Sequence, residues 1–124
     1  MNKEKSILII DDDSRNIFAL SAVLKARGFT VLSSSNMIGG FSVLDTNNSI
    51  GIILMDMMMP GMDGYEATTV LKNEAKLRHI PVIAVTAQAM TGDKEKALAA
   101  GADDYISKPV DIDLLLEILK ERLK

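Results

Sequence analysis

Short, continuous apolar runs alternate along the chain with segments in which apolar residues recur every three or four positions. A short run that is apolar on both faces is typical of a buried parallel strand, and the three- and four-residue spacing indicates a helix. The predicted strands are residues 6–10, 29–32, 50–55, 81–85 and 104–107. Five strands that alternate with helices predict an α/β fold, a single doubly wound parallel sheet with helices on both faces. This pattern alone leaves both common doubly wound strand orders open.

The apolar residues of the predicted helices define the faces that should be buried. In the third and fifth helices these residues are Ala67, Val70, Leu71, Leu114, Leu115, Ile118 and Leu119. The second helix contains two adjacent glycines, Gly39 and Gly40. Together they should destabilise it by roughly 1–2 kcal/mol relative to alanine. On propensity alone, this helix is the weakest of the five.

Composition restricts both the number of domains and the class of function. A chain of 124 residues fits one compact domain, which we place at residues 1–124. The net charge of −3 argues against a nucleic-acid-binding surface, which requires a basic face. The chain has no cysteine and one histidine, His79, which excludes disulfides, thiolate metal sites and multi-histidine zinc sites within it. No apolar stretch approaches the ~18 residues of a membrane span or resembles a secretory signal, so we expect a cytoplasmic protein.

The predicted strands end in residues that carry a charge or a hydroxyl group. These residues are Asp11, Asp12 and Asp13 after the first strand, Asp56 after the third, Thr86 after the fourth and Lys108 after the fifth. In open parallel sheets, ligands bind outside the carboxyl ends of the strands. We therefore expect these side chains to meet in one shallow cleft, although they are far apart in sequence.

The residue types in this cleft restrict its chemistry. Like charges raise one another's pKa, so neighbouring carboxylates need a cation if they are all to stay ionised. Oxygen ligands without histidine or cysteine favour Mg²⁺. An aspartate can also act as a nucleophile toward phosphorus. In such a reaction Lys108 would balance charge on the phosphoryl group, and the Thr86 hydroxyl would donate a hydrogen bond to it.

Four segments resemble the response regulator receiver family, the CheY-like domains. They are residues 7–13 (ILIIDDD), 54–64 (LMDMMMPGMDG), 85–87 (VTA) and 101–109 (GADDYISKP). They occur in the family's order, and the resemblance covers essentially the whole chain. It implies the strand order 2-1-3-4-5, one of the two that the pattern leaves open.

The resemblance also implies a phosphoacceptor and a set of metal ligands. Asp56 is the expected phosphoacceptor. Asp12 and Asp56 would bind Mg²⁺ through their side chains and Met58 through its main-chain carbonyl, while Asp11 would act mostly through a coordinated water. Asp13 lies one position beyond the family's acidic pair and is left out of this site.

Three further residues have roles that the resemblance implies. Thr86 and Lys108 would contact the phosphoryl oxygens. Tyr105 would be the aromatic switch residue, which turns inward as Thr86 moves toward the phosphate. The peptide bond between Lys108 and Pro109 is expected to be cis, an arrangement that is essentially specific to proline.

The resemblance implies a signalling function rather than a classical enzyme, because a receiver catalyses only its own phosphorylation and dephosphorylation. The expected donor is a histidine kinase or a histidine phosphotransfer protein, and the expected reader is a downstream effector or an output domain. Phosphorylation would shift an equilibrium between two states of the domain. Residues 11–16 and the helix after them resemble the receivers of hybrid histidine kinases, but a free-standing regulator remains an alternative.

Three other functions compete with this interpretation. A phosphatase of the haloacid dehalogenase type would use Asp11 and Asp13, but Arg15 stands where that family has threonine or valine. A flavodoxin-like binder would need neutral phosphate-binding donors after the first strand, where this chain has three carboxylates. A degenerate receiver that acts only as a binding scaffold would not need the complete set of site residues. Fold alone does not separate these alternatives.

Overall fold

A computed structural model describes residues 5–59, 61–86 and 92–123 as an alternating series of five strands and five helices. In chain order the elements are β1 (Ser6–Ile10), α1 (Ser14–Ala26), β2 (Thr30–Ser34), α2 (Met37–Thr46), β3 (Ile50–Asp56), α3 (Gly64–Asn73), β4 (Val82–Thr86), α4 (Asp93–Ala100), β5 (Asp104–Ser107) and α5 (Ile112–Arg122). Pro60 and Ala87, which belong to the segments quoted above, lie outside the described residues.

All five strands are parallel and form one sheet in the order β2-β1-β3-β4-β5. The predicted doubly wound α/β fold and the strand order implied by the resemblance are both confirmed. The second strand begins and ends later than predicted. Its neighbour Phe29 instead donates its backbone N–H to the carbonyl of Leu24, which closes α1, while Ser33 and Ser34 pair with β1.

The core consists of two layers, one on each face of the sheet. Alternate residues of β1 face opposite sides, so Leu8 packs with the layer of α2, α3 and α4, whereas Ile9 packs with that of α1 and α5. Two predicted core residues are not buried: Val70 is 36% exposed and Leu114 is 43% exposed. The helical faces predicted to be buried were therefore too wide at these two positions.

The two glycines of α2 allow this helix to approach the sheet closely. A Cβ atom added to Gly40 would lie 2.8 Å from Cδ1 of Ile10, and one added to Gly39 would overlap the hydroxyl of Ser34. The propensity cost of these glycines is therefore offset by close packing of α2 on β1 and β2. Within the described parts of the chain, no helix is long and apolar enough to cross a bilayer.

Candidate functional site

Three carboxylates meet at the carboxyl edge of the two central strands. Parallel pairing aligns Ile10 of β1 with Met55 of β3, so Asp11, which follows β1, and Asp56, the last residue of β3, lie side by side. With Asp12 they form a cluster in which one oxygen from each carboxylate lies within 4.8 Å of the others. Asp11 is 3% exposed and Asp56 is 4% exposed, whereas Asp12 is open to solvent. The cluster therefore has a buried floor and an accessible rim.

Asp13 has a different role from the two aspartates before it. It is the N-cap of α1, and its carboxylate accepts a hydrogen bond of 3.0 Å from the backbone N–H of Arg15. This backbone hydrogen bond lowers the pKa of the Asp13 carboxyl, and the Arg15 guanidinium contributes to the same shift. Asp13 thus caps a helix, as aspartate commonly does, and is absent from the carboxylate cluster.

Lys108 lies between the two buried carboxylates. Its Nζ is 3.6 Å from Oδ2 of Asp11 and 3.6 Å from Oδ1 of Asp56. The lysine directly follows β5, and its backbone N–H donates a hydrogen bond of 2.7 Å to the carbonyl of Thr86 at the end of β4. The Lys108–Pro109 peptide bond is cis, as the resemblance implies. The ends of β1, β3 and β5 therefore place one cation beside two anions.

Burial makes Asp56 difficult to ionise. The pKa of the Asp56 carboxyl is raised from 3.8 to about 6, mainly by burial and in smaller part by the charge of Asp11. The backbone N–H of Met58, 3.1 Å from Oδ1, and the ammonium of Lys108 act in the opposite direction. The free-energy cost of removing this carboxylate from water is therefore larger than the stabilisation that Met58 and Lys108 provide. An added cation would offset that cost.

Thr86 and Tyr105 link this edge of the sheet to β5. Asp56 pairs with Val85 across β3 and β4, so Thr86 lies one residue farther along the same edge. The Thr86 side chain is buried, and its hydroxyl donates a hydrogen bond of 3.1 Å to the hydroxyl of Tyr105, a half-buried residue. The two residues predicted to act together as a switch are therefore in direct contact.

The methionine-rich segment after β3 packs mainly into the core. Met55, Met57 and Met59 are buried in the layer of α2, α3 and α4, where flexible methionine side chains pack well. Met58 differs, because it is 67% exposed. It lies two residues after Asp56, and its backbone N–H is the donor to Oδ1 of that residue.

Asn16 belongs to this site, although sequence reasoning did not assign it a role. Its side-chain amide donates a hydrogen bond to Oδ2 of Asp11. The other oxygen of Asp11, Oδ1, accepts the backbone N–H of Asp13 at 2.9 Å. The available sequence signal was the position of Asn16 in the first turn of a helix that begins directly after the acidic loop.

Comparisons with known proteins agree with the fold and with the motifs. A family model described as the response regulator receiver domain matches residues 7–120. The polar-differentiation response regulator DivK of Brucella anthropi is 38% identical over 119 residues, which are 96% of each chain.

Solved structures of two kinase receivers are also similar. The receiver domain of the sensor histidine kinase PA1611 from Pseudomonas aeruginosa PAO1, described with a magnesium ion coordinated in its active-site cleft, is 33% identical with a TM-score of 0.86. The match covers 96% of this chain and 97% of that one. The signal receiver domain of a signal transduction histidine kinase from Syntrophus aciditrophicus is 32% identical with a TM-score of 0.87, over 96% and 89% of the two chains.

Proposed function

We propose, because this chain belongs to the response regulator receiver family, that Asp56 accepts a phosphoryl group in a two-component phosphorelay. In this proposal residues 1–124 form one receiver domain. The donor is the phosphohistidine of a kinase or of a phosphotransfer protein, and the reaction requires Mg²⁺. An effector or an output domain then reads the phosphorylated state. The chain acts as a signalling receiver rather than as a classical enzyme.

The observation that supports this proposal most directly is the arrangement of charges around Asp56. Asp11, Asp12 and Asp56 bring oxygens within 4.8 Å of one another, and the Nζ of Lys108 lies 3.6 Å from two of these carboxylates. A nucleophilic carboxylate, a set of anionic oxygens and a cation are the groups that phosphoryl transfer uses. A purely structural cluster would not need to keep two acids buried beside a third.

The donor set fits Mg²⁺. All of its charged ligands are carboxylate oxygens, which Mg²⁺ prefers, and the exposed Asp12 leaves the cluster open toward solvent, where an ion can keep several waters. In the proposed site Asp12 and Asp56 bind through their side chains, Met58 through its main-chain carbonyl, and Asp11 mostly through a water. The bound ion supplies positive charge that neutralises the phosphoryl oxygens during transfer.

The transfer step is a single displacement at phosphorus. An oxygen of the Asp56 carboxylate forms the new P–O bond while the P–N bond to the donor imidazole breaks, and the imidazole leaves with the electron pair of that bond. Lys108 stabilises negative charge on the transferring group from the β5 side. In later hydrolysis a water oxygen attacks the same phosphorus atom, the P–O bond to Asp56 breaks, and inorganic phosphate leaves the free carboxylate behind.

The proposed readout begins at Thr86. In the state described here its hydroxyl donates to Tyr105. A phosphoryl group on Asp56 presents new acceptor oxygens one residue away along the strand edge, and they compete for the Thr86 hydroxyl. Tyr105 then loses this partner and turns inward. The change reaches the surface formed by α4, β5 and α5, where a partner reads it.

Intact mass after incubation with phosphoramidate and Mg²⁺ tests the proposal. We expect one added phosphate on the wild-type chain and none on Asp56→Asn. Asp13→Asn is the matched control, because Asp13 belongs to the same acidic region but caps α1, and asparagine caps helices equally well. It should retain the added phosphate. A wild-type chain that stays unmodified would favour a binding scaffold, and sustained turnover of p-nitrophenyl phosphate would favour a phosphatase.

A further inference from the structure

Asp11 is held by hydrogen bonds at both of its carboxylate oxygens. The backbone N–H of Asp13 donates to Oδ1 at 2.9 Å, and the amide of Asn16 donates to Oδ2. The side chain is 4% exposed, so these donors replace the water that would otherwise solvate the charge. A carboxylate fixed at both oxygens has little freedom to rotate. Its orientation toward Asp12 and Asp56 is therefore set before any cation arrives.

We propose that Asn16 is a positioning residue, whose side-chain amide holds Asp11 in the orientation that the cluster needs to bind Mg²⁺. This inference rests on the proposed function, because it assumes that Mg²⁺ binds at Asp11, Asp12 and Asp56. Hydrogen-bonded partners of metal ligands commonly contribute tenfold to a hundredfold to metal affinity. Position 16 lies outside the four segments by which the chain resembles the receiver family.

The residue type suits this role because it donates without adding charge. A lysine or arginine at position 16 would neutralise Asp11 and compete with a divalent cation, and an aspartate would repel it. Only the NH₂ group of Asn16 can face a carboxylate oxygen favourably, so its orientation is unambiguous. Asn16 is also in the first turn of α1, three residues after the Asp13 cap. The donor and the loop that carries Asp11 therefore form one rigid unit.

The same contact affects Lys108. Among the residues that the structure describes, Oδ2 of Asp11 has two nearby donors, the Asn16 amide in a hydrogen bond and the Lys108 ammonium at 3.6 Å. While the amide satisfies this oxygen, Lys108 remains equally distant from Asp11 and Asp56. Without the amide, Lys108 becomes the remaining donor for Oδ2. A closer pair between Lys108 and Asp11 would then compete with the cation for the same oxygen.

Mg²⁺ titration of the unphosphorylated chain by isothermal calorimetry tests the inference without relying on activity. We expect Asn16→Ala to raise the Mg²⁺ dissociation constant about tenfold. Asn48→Ala is the matched control, since Asn48 is exposed in the turn before β3, and its dissociation constant should equal that of the wild type. Asn16→Leu, which is closer in volume to asparagine, should behave like Asn16→Ala and serves if the alanine variant does not fold.

A second readout separates positioning from chemistry. The initial rate of modification by phosphoramidate should fall in Asn16→Ala at limiting Mg²⁺ and recover at saturating Mg²⁺. An unchanged Mg²⁺ dissociation constant, or a rate that falls equally at all Mg²⁺ concentrations, would overturn the inference. These outcomes differ from failure of the proposed function, in which the wild-type chain itself takes up no phosphate.

Discussion

Two contacts between lysine and aspartate lie at opposite ends of strands β4 and β5, and they differ in how tightly they close. At the amino ends, Nζ of Lys72 lies 2.7 Å from Oδ2 of Asp103 and also donates to the carbonyls of Ile80 (2.9 Å) and Arg78 (3.2 Å). Oδ2 of Asp103 accepts a further hydrogen bond, of 2.9 Å, from the backbone N–H of Val82. At the carboxyl ends, Lys108 lies 3.6 Å from each of two carboxylates.

The difference shows how one sheet supports both a structural and a reactive ion pair. All three protons of the Lys72 ammonium have acceptors in the protein, so that contact is complete and joins α3 to the starts of β4 and β5. The Lys108 contact is longer and is shared between two acids. The Lys72–Asp103 pair, which we call closed, leaves no room for a third group. The contact of Lys108 with Asp11 and Asp56, which we call open, retains positive charge for an incoming anion. The open pair also leaves its acids incompletely stabilised.

Replacing Lys108 should have the largest effect on function. In Lys108→Met we expect the rate of modification by phosphoramidate to fall about 10²- to 10³-fold, because the donor that stabilises the transferring charge is lost. Rapid-quench sampling followed by intact mass measures this rate. Lys72→Met is the matched control, with the same change at the other end of the strands, and its rate should stay within a few-fold of wild type. Equal losses in the two variants would contradict the division into structural and reactive pairs.

Replacing Lys72 should reduce the stability of the fold more than replacing Lys108 does, whereas the loss of rate is larger at Lys108. Lys72→Met leaves the carboxylate of Asp103 and two carbonyl oxygens without their ammonium donor in a partly buried setting. We expect the free energy of unfolding to fall by about 2–3 kcal/mol, measured by urea denaturation at pH 7 without metal. The loss in Lys108→Met should be smaller. A larger loss in Lys108→Met would indicate that the open contact is the stronger one.

Sequence patterns predicted the elements of the fold better than the contacts between them. The bounds of β1 and β5 agree with the predicted runs. The pattern left the strand order open, since pairing depends on contacts between distant segments, and only the resemblance supplied it. Val70 and Leu114 were wrongly expected in the core because periodicity gives the direction of a helical face but not its width.

The site residues that lie at the ends of strands could be predicted from the sequence. The carboxyl ends of parallel strands all lie at the same edge of the sheet. This edge therefore brings together Asp11, Asp56, Thr86 and Lys108. Asn16 and the Lys72–Asp103 pair escaped prediction for a different reason. Asn16 is only five residues from Asp11, but the contact depends on how the loop turns into the helix, which residue spacing does not give. The two ends of the ion pair are 31 residues apart, so that contact does not follow from local spacing.

Removing the charge of Asp56 should stabilise the metal-free protein, the reverse of the effect expected at Lys72. Burial raises the pKa of Asp56 from 3.8 in the unfolded reference to about 6, so the folded chain binds this proton more tightly than the unfolded chain. Ionisation therefore costs folding free energy. The cost is absent below about pH 4, grows as the pH rises toward 6 and is complete at pH 7. Asp56→Asn should accordingly be more stable than wild type by about 1–3 kcal/mol at pH 7, and by much less near pH 4.

Urea denaturation with EDTA at both pH values measures this difference, and Asp111→Asn is its control. Asp111 caps α5 and is exposed, so the same substitution there should leave stability nearly unchanged at either pH. Adding Mg²⁺ should then raise the stability of the wild type toward that of Asp56→Asn, because a cation in the cluster offsets the repulsion that ionisation creates. A gain in Asp56→Asn that increases toward pH 4 would have the wrong sign, and it would contradict a raised pKa of Asp56 in the folded chain.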